Sequence, residues 1–308
     1  MTLSINASMG LREWLMLITL SVLWGGSFFF VGIAVAELPP LTIVTLRVGL
    51  AAITLWLIVF VMGLRPPKSV KIWATFLAMG LLNNVIPFSL IVWGQTYISS
   101  GLASVLNATT PLFGVVVAGL LLADERATAM KLVGVAIGLV GVVIMIGMPG
   151  LNIAEQGSIL AQVAILGAAL SYAFASVFGR RFKAMGLKPI MIAAGQVTGS
   201  TVLLAPVALY VDGPLALFGA SSPGLSVWAS ILTLAVFSTA FAYILYFKIL
   251  ASSGATNILL VTLLVPISAI VLGLLFLNET LEWGHLVGMI LIAIGLSAID
   301  GRFWKRKR

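Results

Sequence analysis

The chain has 308 residues, of which 61% are hydrophobic and only 8% charged, with a formal net charge of +8. Soluble domains carry about a quarter charged residues, so this composition excludes a water-soluble globular protein. Without a single cysteine, it also excludes disulfide frameworks and thiolate metal sites.

In chain order, ten apolar runs lie near 13–33, 42–63, 72–96, 100–122, 129–147, 157–179, 190–211, 226–248, 256–277 and 284–300. Runs of about 18 residues or more cross a hydrocarbon core of about 30 Å as helices. Their continuous rather than alternating apolarity argues against a barrel. The predicted fold class is therefore all-α, a polytopic membrane protein with ten transmembrane helices. The first run is followed by Ala34-Val35-Ala36, which has the look of a signal-peptide cleavage site. The apolar stretch before it is longer than the usual signal core, so it is counted as a span.

The charges between the runs are sorted by sign. With the N-terminus inside, Arg12, Arg65, Lys68, Lys71, Arg126, Lys131, Arg180, Arg181, Lys183, Lys188 and Lys248 all fall on one side, as do Arg302, Lys305, Arg306, Lys307 and Arg308. The opposite loops hold Glu37, Glu155, Asp212, Glu279 and Glu282, and no Lys or Arg. This positive-inside bias predicts that both termini are cytoplasmic. It also predicts that the basic tail meets anionic lipid rather than nucleic acid.

Residues 119–134 read GLLLADERATAMKLVG and residues 273–288 read GLLFLNETLEWGHLVG. Aligned without a gap, 117–141 and 271–295 share Val117, Gly119, Leu120, Leu121, Glu125, Leu132, Val133, Gly134 and Gly141, each matched 154 positions later. Pro111 likewise finds Pro266, Ser99-Ser100-Gly101 returns as Ser252-Ser253-Gly254, and Pro40 with Arg47 returns as Pro189 with Gln196. Runs four and five thus correspond to nine and ten. An odd number of spans per half inserts the second half upside down, giving two inverted five-helix repeats, an architecture of transporters that work by alternating access. The expected limits are 12–148 for the first repeat, 157–300 for the second and 301–308 for a basic tail.

Together, the repeat, the Leu23-Trp24-Gly25-Gly26-Ser27 stretch, Pro40 followed by Arg47 and the paired Glu-containing turns resemble the drug/metabolite transporter superfamily. In particular they resemble its ten-helix EamA-type exporters, in which each half is an EamA domain; the resemblance covers residues 12–300. It implies export of small metabolites, often amino acids, across a bacterial inner membrane, with the aromatic amino-acid exporters the most similar members. It implies no cofactor. Ten helices can enclose a site within one chain, so a monomer suffices.

Four prolines lie well within spans, Pro87, Pro111, Pro206 and Pro266. Proline frees the carbonyl four residues earlier, here on Asn83, Asn107, Val202 and Thr262. Either the kinks are self-satisfied, or Pro87, Pro111 and Pro266 are hinges beside a binding site. Trp24, Asn83, Asn84, Thr110, Ser171, Tyr172, Ser238 and Thr239 fall near mid-span and are candidate substrate contacts, suited to a ligand with a ring and polar ends. Trp prefers the membrane interface, so Trp24 at mid-depth is either packed core or part of the site. Arg47 lies about 10 Å into its span. It either snorkels outward, pairs with Glu37, or meets a substrate carboxylate with its fork of donors. Glu125 and Glu279 are expected to be structural turns that cap helix N-termini.

No Asp or Glu falls in the middle third of any span. Proton-coupled carriers usually keep an ionisable group there, and the glutamate that the four-helix multidrug relatives carry in their first helix has no counterpart. The expectation is transport down the substrate's own gradient without obligatory proton coupling. A single Arg is too little for a phosphorylated cargo, so a neutral, zwitterionic or weakly charged one is expected. The groups of intramembrane hydrolases, paired aspartates, a deep Ser–His or a metal cluster, are missing from the sequence. A hydrophobic-drug exporter and a lipid flippase or scramblase remain as alternatives.

Overall fold

The computed structural model describes residues 10–122, 128–146, 156–213, 223–246, 248–249, 252, 261–280 and 283–300. Within them the chain forms α1 (Leu11–Ala34), α2 (Pro40–Val61), α3 (Val70–Gly94), α4 (Ser100–Leu121), α5 (Ala129–Ile146), α6 (Gln156–Gly179), α7 (Pro189–Val211), α8 (Leu225–Tyr246), α9 (Val261–Phe276) and α10 (Trp283–Asp300). A single extra turn, Arg181–Ala184, follows α6. Seven of these helices have the length and apolarity to cross a membrane, and shorter apolar stretches in α5, α9 and α10 accompany them. Glu125 and the tail at 301–308 lie outside the described residues.

Local chemistry sets the helix ends. Both α2 and α7 start with a proline at their first helical position, after an extended residue (Pro39 and Lys188), where the missing N–H costs nothing. Both are followed by a left-handed glycine, Gly63 at φ 68° and Gly213 at φ 81°, a conformation that side chains resist. Ser99 caps α4, its hydroxyl accepting the Leu102 N–H at 3.2 Å.

The main packing pairs survive exchange of each helix for the one five places away. Helix α1 packs on α9 as α6 packs on α4; α1 meets α8 as α6 meets α3; and α2 meets α8 as α7 meets α3. The self-related pairs α2–α7 and α5–α10 lie across the pseudo-twofold axis. At the α5–α10 seam the backbones touch. A Cβ on Gly141 would come 2.8 Å from the Gly288 carbonyl oxygen, and one on Gly295 would come 2.5 Å from that of Gly134. These are four of the glycines that the internal alignment matches. Small residues of this kind let membrane helices approach closely.

Two apolar cores lie along the axis, each built from helices that the exchange maps onto one another. One gathers Leu17, Leu20, Leu106, Leu112, Ile165 and Ala269 from α1, α4, α6 and α9. The other gathers Ile43, Leu55, Phe76, Val197, Leu204 and Ile231 from α2, α3, α7 and α8. Tyr172 packs against both. The perimeter keeps large apolar side chains exposed, such as Val61 at 88% and Leu275 at 68%, which suits a hydrocarbon solvent rather than water.

Helices α3 and α8 each widen into a π-type turn, over Leu81–Val85 and Val236–Phe241. In α3 the turn precedes Pro87, and its Leu82 carbonyl accepts the Ser171 hydroxyl at 2.7 Å. In α8 no proline is involved; the Thr239 hydroxyl takes the Leu234 carbonyl at 2.8 Å. Such turns recur at functional sites. Helix α4 is interrupted at 108–109, just before Pro111. The matching Pro266 sits inside the uninterrupted α9.

Candidate functional site

Between the two cores lies a cavity of about 520 Å³. Its wall repeats with the fold: Asn83 and Ser238, Phe88 and Tyr243, Ile91 and Tyr246, Asn107 and Thr262, and Arg47 and Gln196 all line it. Each couple occupies corresponding places in the two halves, so the cavity straddles the pseudo-twofold axis, the place where inverted-repeat transporters hold their cargo.

Of the sequence-derived candidates, Trp24, Arg47, Asn83, Thr110, Tyr172, Ser238 and Thr239 line this cavity. Trp24 is half-buried, with its ring 5.7 Å from that of Tyr246. The Thr110 hydroxyl donates back to the Asn107 carbonyl at 2.7 Å. The Ser238 hydroxyl and the Asn107 side-chain oxygen are buried without a hydrogen-bond partner among the described residues. Tyr172 makes no hydrogen bond among the described residues.

Two candidates, Asn84 and Ser171, are not among the residues that line the cavity. Asn84 is fully buried behind the wall. Its Nδ2 donates to the Ser200 hydroxyl at 3.0 Å, and its Oδ1 accepts from the Tyr243 hydroxyl at 3.1 Å. Ser171 is spent on the Leu82 carbonyl. Both stabilise the π turn of α3, because a polar group at this depth needs a partner within the protein. Asn83 completes the network from the cavity side, donating to Gln196 Oε1 at 3.2 Å and to the Tyr243 hydroxyl at 3.1 Å.

Arg47 neither snorkels nor pairs with Glu37. It is 6% exposed, its Nε donates to the Thr239 hydroxyl at 3.0 Å, and its guanidinium carbon sits 3.9 Å over the Phe88 ring. A cation against an aromatic face is stabilised by the ring quadrupole. Glu37 instead accepts the Gly224 N–H at the start of α8, at 2.7 Å.

That contact is one of three alike at the end of the molecule bearing the acidic loops. Asp212 Oδ2 accepts both the N–H and the hydroxyl of Thr42, each at 2.7 Å, at the start of α2. Glu279 accepts the N–H of Ser100 at 2.6 Å and of Gly101 at 3.0 Å, at the start of α4. Each carboxylate sits on the positive end of a helix dipole and ties one half to the other. Glu279 thus caps α4 rather than the adjacent α10, being turned back by Asn278 in the left-handed conformation at φ 53°. Close by, Gln95 donates to the Phe28 carbonyl at 2.8 Å and to the Ser100 hydroxyl at 3.0 Å.

Phe88, Tyr243 and Tyr246 had escaped notice in the sequence. The signal emerges only when the π turns at Leu81–Val85 and Val236–Phe241 are matched, which sets Phe88 opposite Tyr243 and Ile91 opposite Tyr246.

Comparison with known proteins finds relatives along nearly the whole chain. The chain is 27% identical to the "Uncharacterized transporter YoaV" of Bacillus subtilis (strain 168), over 94% of this chain and 97% of that protein. It is 29% identical to the "Uncharacterized inner membrane transporter YedA" of Escherichia coli (strain K12), over 91% of this chain and 88% of that protein. A solved crystal structure, 17% identical, superposes with a TM-score of 0.65 over 94% of this chain and 97% of its own, which shows a shared fold. The family model described as "EamA-like transporter family" matches twice, over residues 11–147 and 159–299. Two matches in tandem span nearly the whole sequence, and the chain therefore belongs to the EamA-like transporter family of the drug/metabolite transporter superfamily.

Proposed function

We propose that this membrane-spanning transporter exports small organic metabolites, foremost amino acids with aromatic or bulky apolar side chains, across a bacterial inner membrane by alternating access. The observation that carries this reading is the cavity on the pseudo-twofold axis, walled by Trp24, Phe88, Tyr172, Tyr243 and Tyr246 with amides and hydroxyls between them. Aromatic walls with a few placed polar groups are the usual make-up of a site for a small organic ligand. The two repeats, 12–148 and 157–300, exchange roles as the cavity opens to one side and then the other. In this reading the three carboxylate ties close the acidic end, and Pro87, Pro111 and Pro266 are the hinges. Both termini face the cytoplasm, one chain suffices, and the tail at 301–308 rests on anionic lipid.

No carboxylate lines the cavity among the described residues, which favours movement down the cargo's gradient without obligatory proton coupling. Counterflow in liposomes with labelled phenylalanine, tryptophan, threonine and a lipophilic cation tests the reading. Saturable exchange of the aromatic amino acids, with and without a pH gradient, is expected. Strict dependence on that gradient overturns the uncoupled mechanism, and movement of the cation alone turns the reading to drug export. Lipid movement with no solute exchange assigns the chain to flippases.

A further inference from the structure

Arg47 is the only charged side chain lining the cavity among the described residues. Its guanidinium stays protonated under any relevant condition, and a buried charge is costly unless it is paired. Here the pairing is incomplete. One of its nitrogens, Nε, donates to Thr239, and one face rests on Phe88. Among the described residues the two terminal amino groups make no hydrogen bond and no carboxylate comes within salt-bridge distance. Next to Thr239, on the same π turn, the Ser238 hydroxyl is buried with its donor unused among the described residues. The symmetry mate of Arg47 is the neutral Gln196, so the repeat does not require a charge at this place. Across the wall, the Asn107 Oδ1 acceptor is also buried without a partner, but it is neutral.

The site therefore carries one uncompensated positive charge and only uncharged acceptors. A carboxylate fits a guanidinium's paired donors with two short, charge-assisted bonds. An ammonium finds no countercharge, and a monocation would bring a second positive charge into a poorly screened interior. We propose that the cavity is selective for carboxylates: its cargo class is the monoanion or zwitterion with a bulky apolar or aromatic group, in which the carboxylate is required and an α-amino group is dispensable. This rests on the transport reading above for the site's use, but it widens the class beyond amino acids to aromatic carboxylic acids and excludes amines and cationic drugs.

Four probes separate the charges: 3-phenylpropionate, L-phenylalanine, phenethylamine and the neutral 3-phenylpropionamide. Their binding to the purified full chain in detergent is read by thermal shift, and their transport by counterflow. The acid is expected to bind at least as tightly as phenylalanine, and the amine about ten- to a hundredfold more weakly. In Arg47→Gln, acid binding falls by a similar factor while amide binding falls far less, which separates lost charge from lost folding. Arg47→Lys keeps the order acid over amine at reduced affinity, since an ammonium lacks the fork. The proposal is overturned if the amine binds as tightly as the acid, if Arg47→Gln keeps the preference for the acid, or if none of the four binds. If the acid binds in the expected order but is not exchanged across the membrane, the charge rule stands and the transport reading fails for this class.

Discussion

Glu279→Gln is the sharpest test of the proposed closure at the acidic end. The carboxylate is half-buried and accepts two backbone N–H groups at 2.6 and 3.0 Å from the first turn of α4. A charge-assisted bond contributes roughly 1.5–3 kcal/mol against roughly 0.5–1.5 for a neutral one. Glutamine keeps one acceptor and turns an amide donor toward the second N–H, and it gives up the attraction to the helix dipole, about 0.3–1 kcal/mol. Partial exposure screens the charge, so a net loss of about 1–2 kcal/mol is expected. That corresponds to roughly a 5–30-fold shift in the equilibrium between arrangements with this end shut and open. The chain contains no cysteine, which makes the assay clean. A single cysteine is placed at Val31, which lines the cavity and is 1% exposed, and labelled in oriented vesicles with an impermeant maleimide from the side of the acidic loops. The labelling rate should rise by about that factor in Glu279→Gln and again in Asp212→Asn. An unchanged rate in both variants, with folding intact, would refute the view that these carboxylates hold the end shut.

Asn84→Ala removes two hydrogen bonds from a fully buried position; Ser200 keeps the Gly80 and Gln196 carbonyls, but the Tyr243 hydroxyl loses its acceptor, a cost of about 1–3 kcal/mol for the donor left unsatisfied. A clear drop in the thermal midpoint in detergent checks it. Gly295→Leu drives a side chain into the Gly134 backbone, so α5 and α10 must separate, at about 1–3 kcal/mol or more. Gly114→Ala, where a Cβ meets nothing within 4 Å, should leave the thermal midpoint unharmed in the same measurement. Trp24→Ala should weaken binding of an aromatic ligand by about 0.5–1.5 kcal/mol beyond the lost contact area, while its effect on an aliphatic ligand of equal charge is smaller; titration of both ligands separates the two.

Much of this protein is written in its sequence, because a membrane span depends on local composition. The ten runs, the charge bias and the halves follow from hydropathy and an internal alignment, and the glycines matched in that alignment are the ones that meet across the α5–α10 seam. The mid-span polar residues marked a site for the same reason, since hydrocarbon tolerates such groups only where something satisfies them. Which of them face the cargo was beyond reach. Asn83 and Asn84 are neighbours in the chain, and only the packing around α3 decides that one meets the cavity while the other turns to Ser200 and Tyr243. Arg47 had three readings in the sequence, and the arrival of Thr239 and Phe88 from other helices removed two of them. Glu279 was expected to cap a helix, yet the helix it caps belongs to the opposite half. Hydropathy and repeats are properties of a segment, legible wherever the segment lies. The partners of a buried polar group are chosen by which helices meet around it, and only the packed structure decides that.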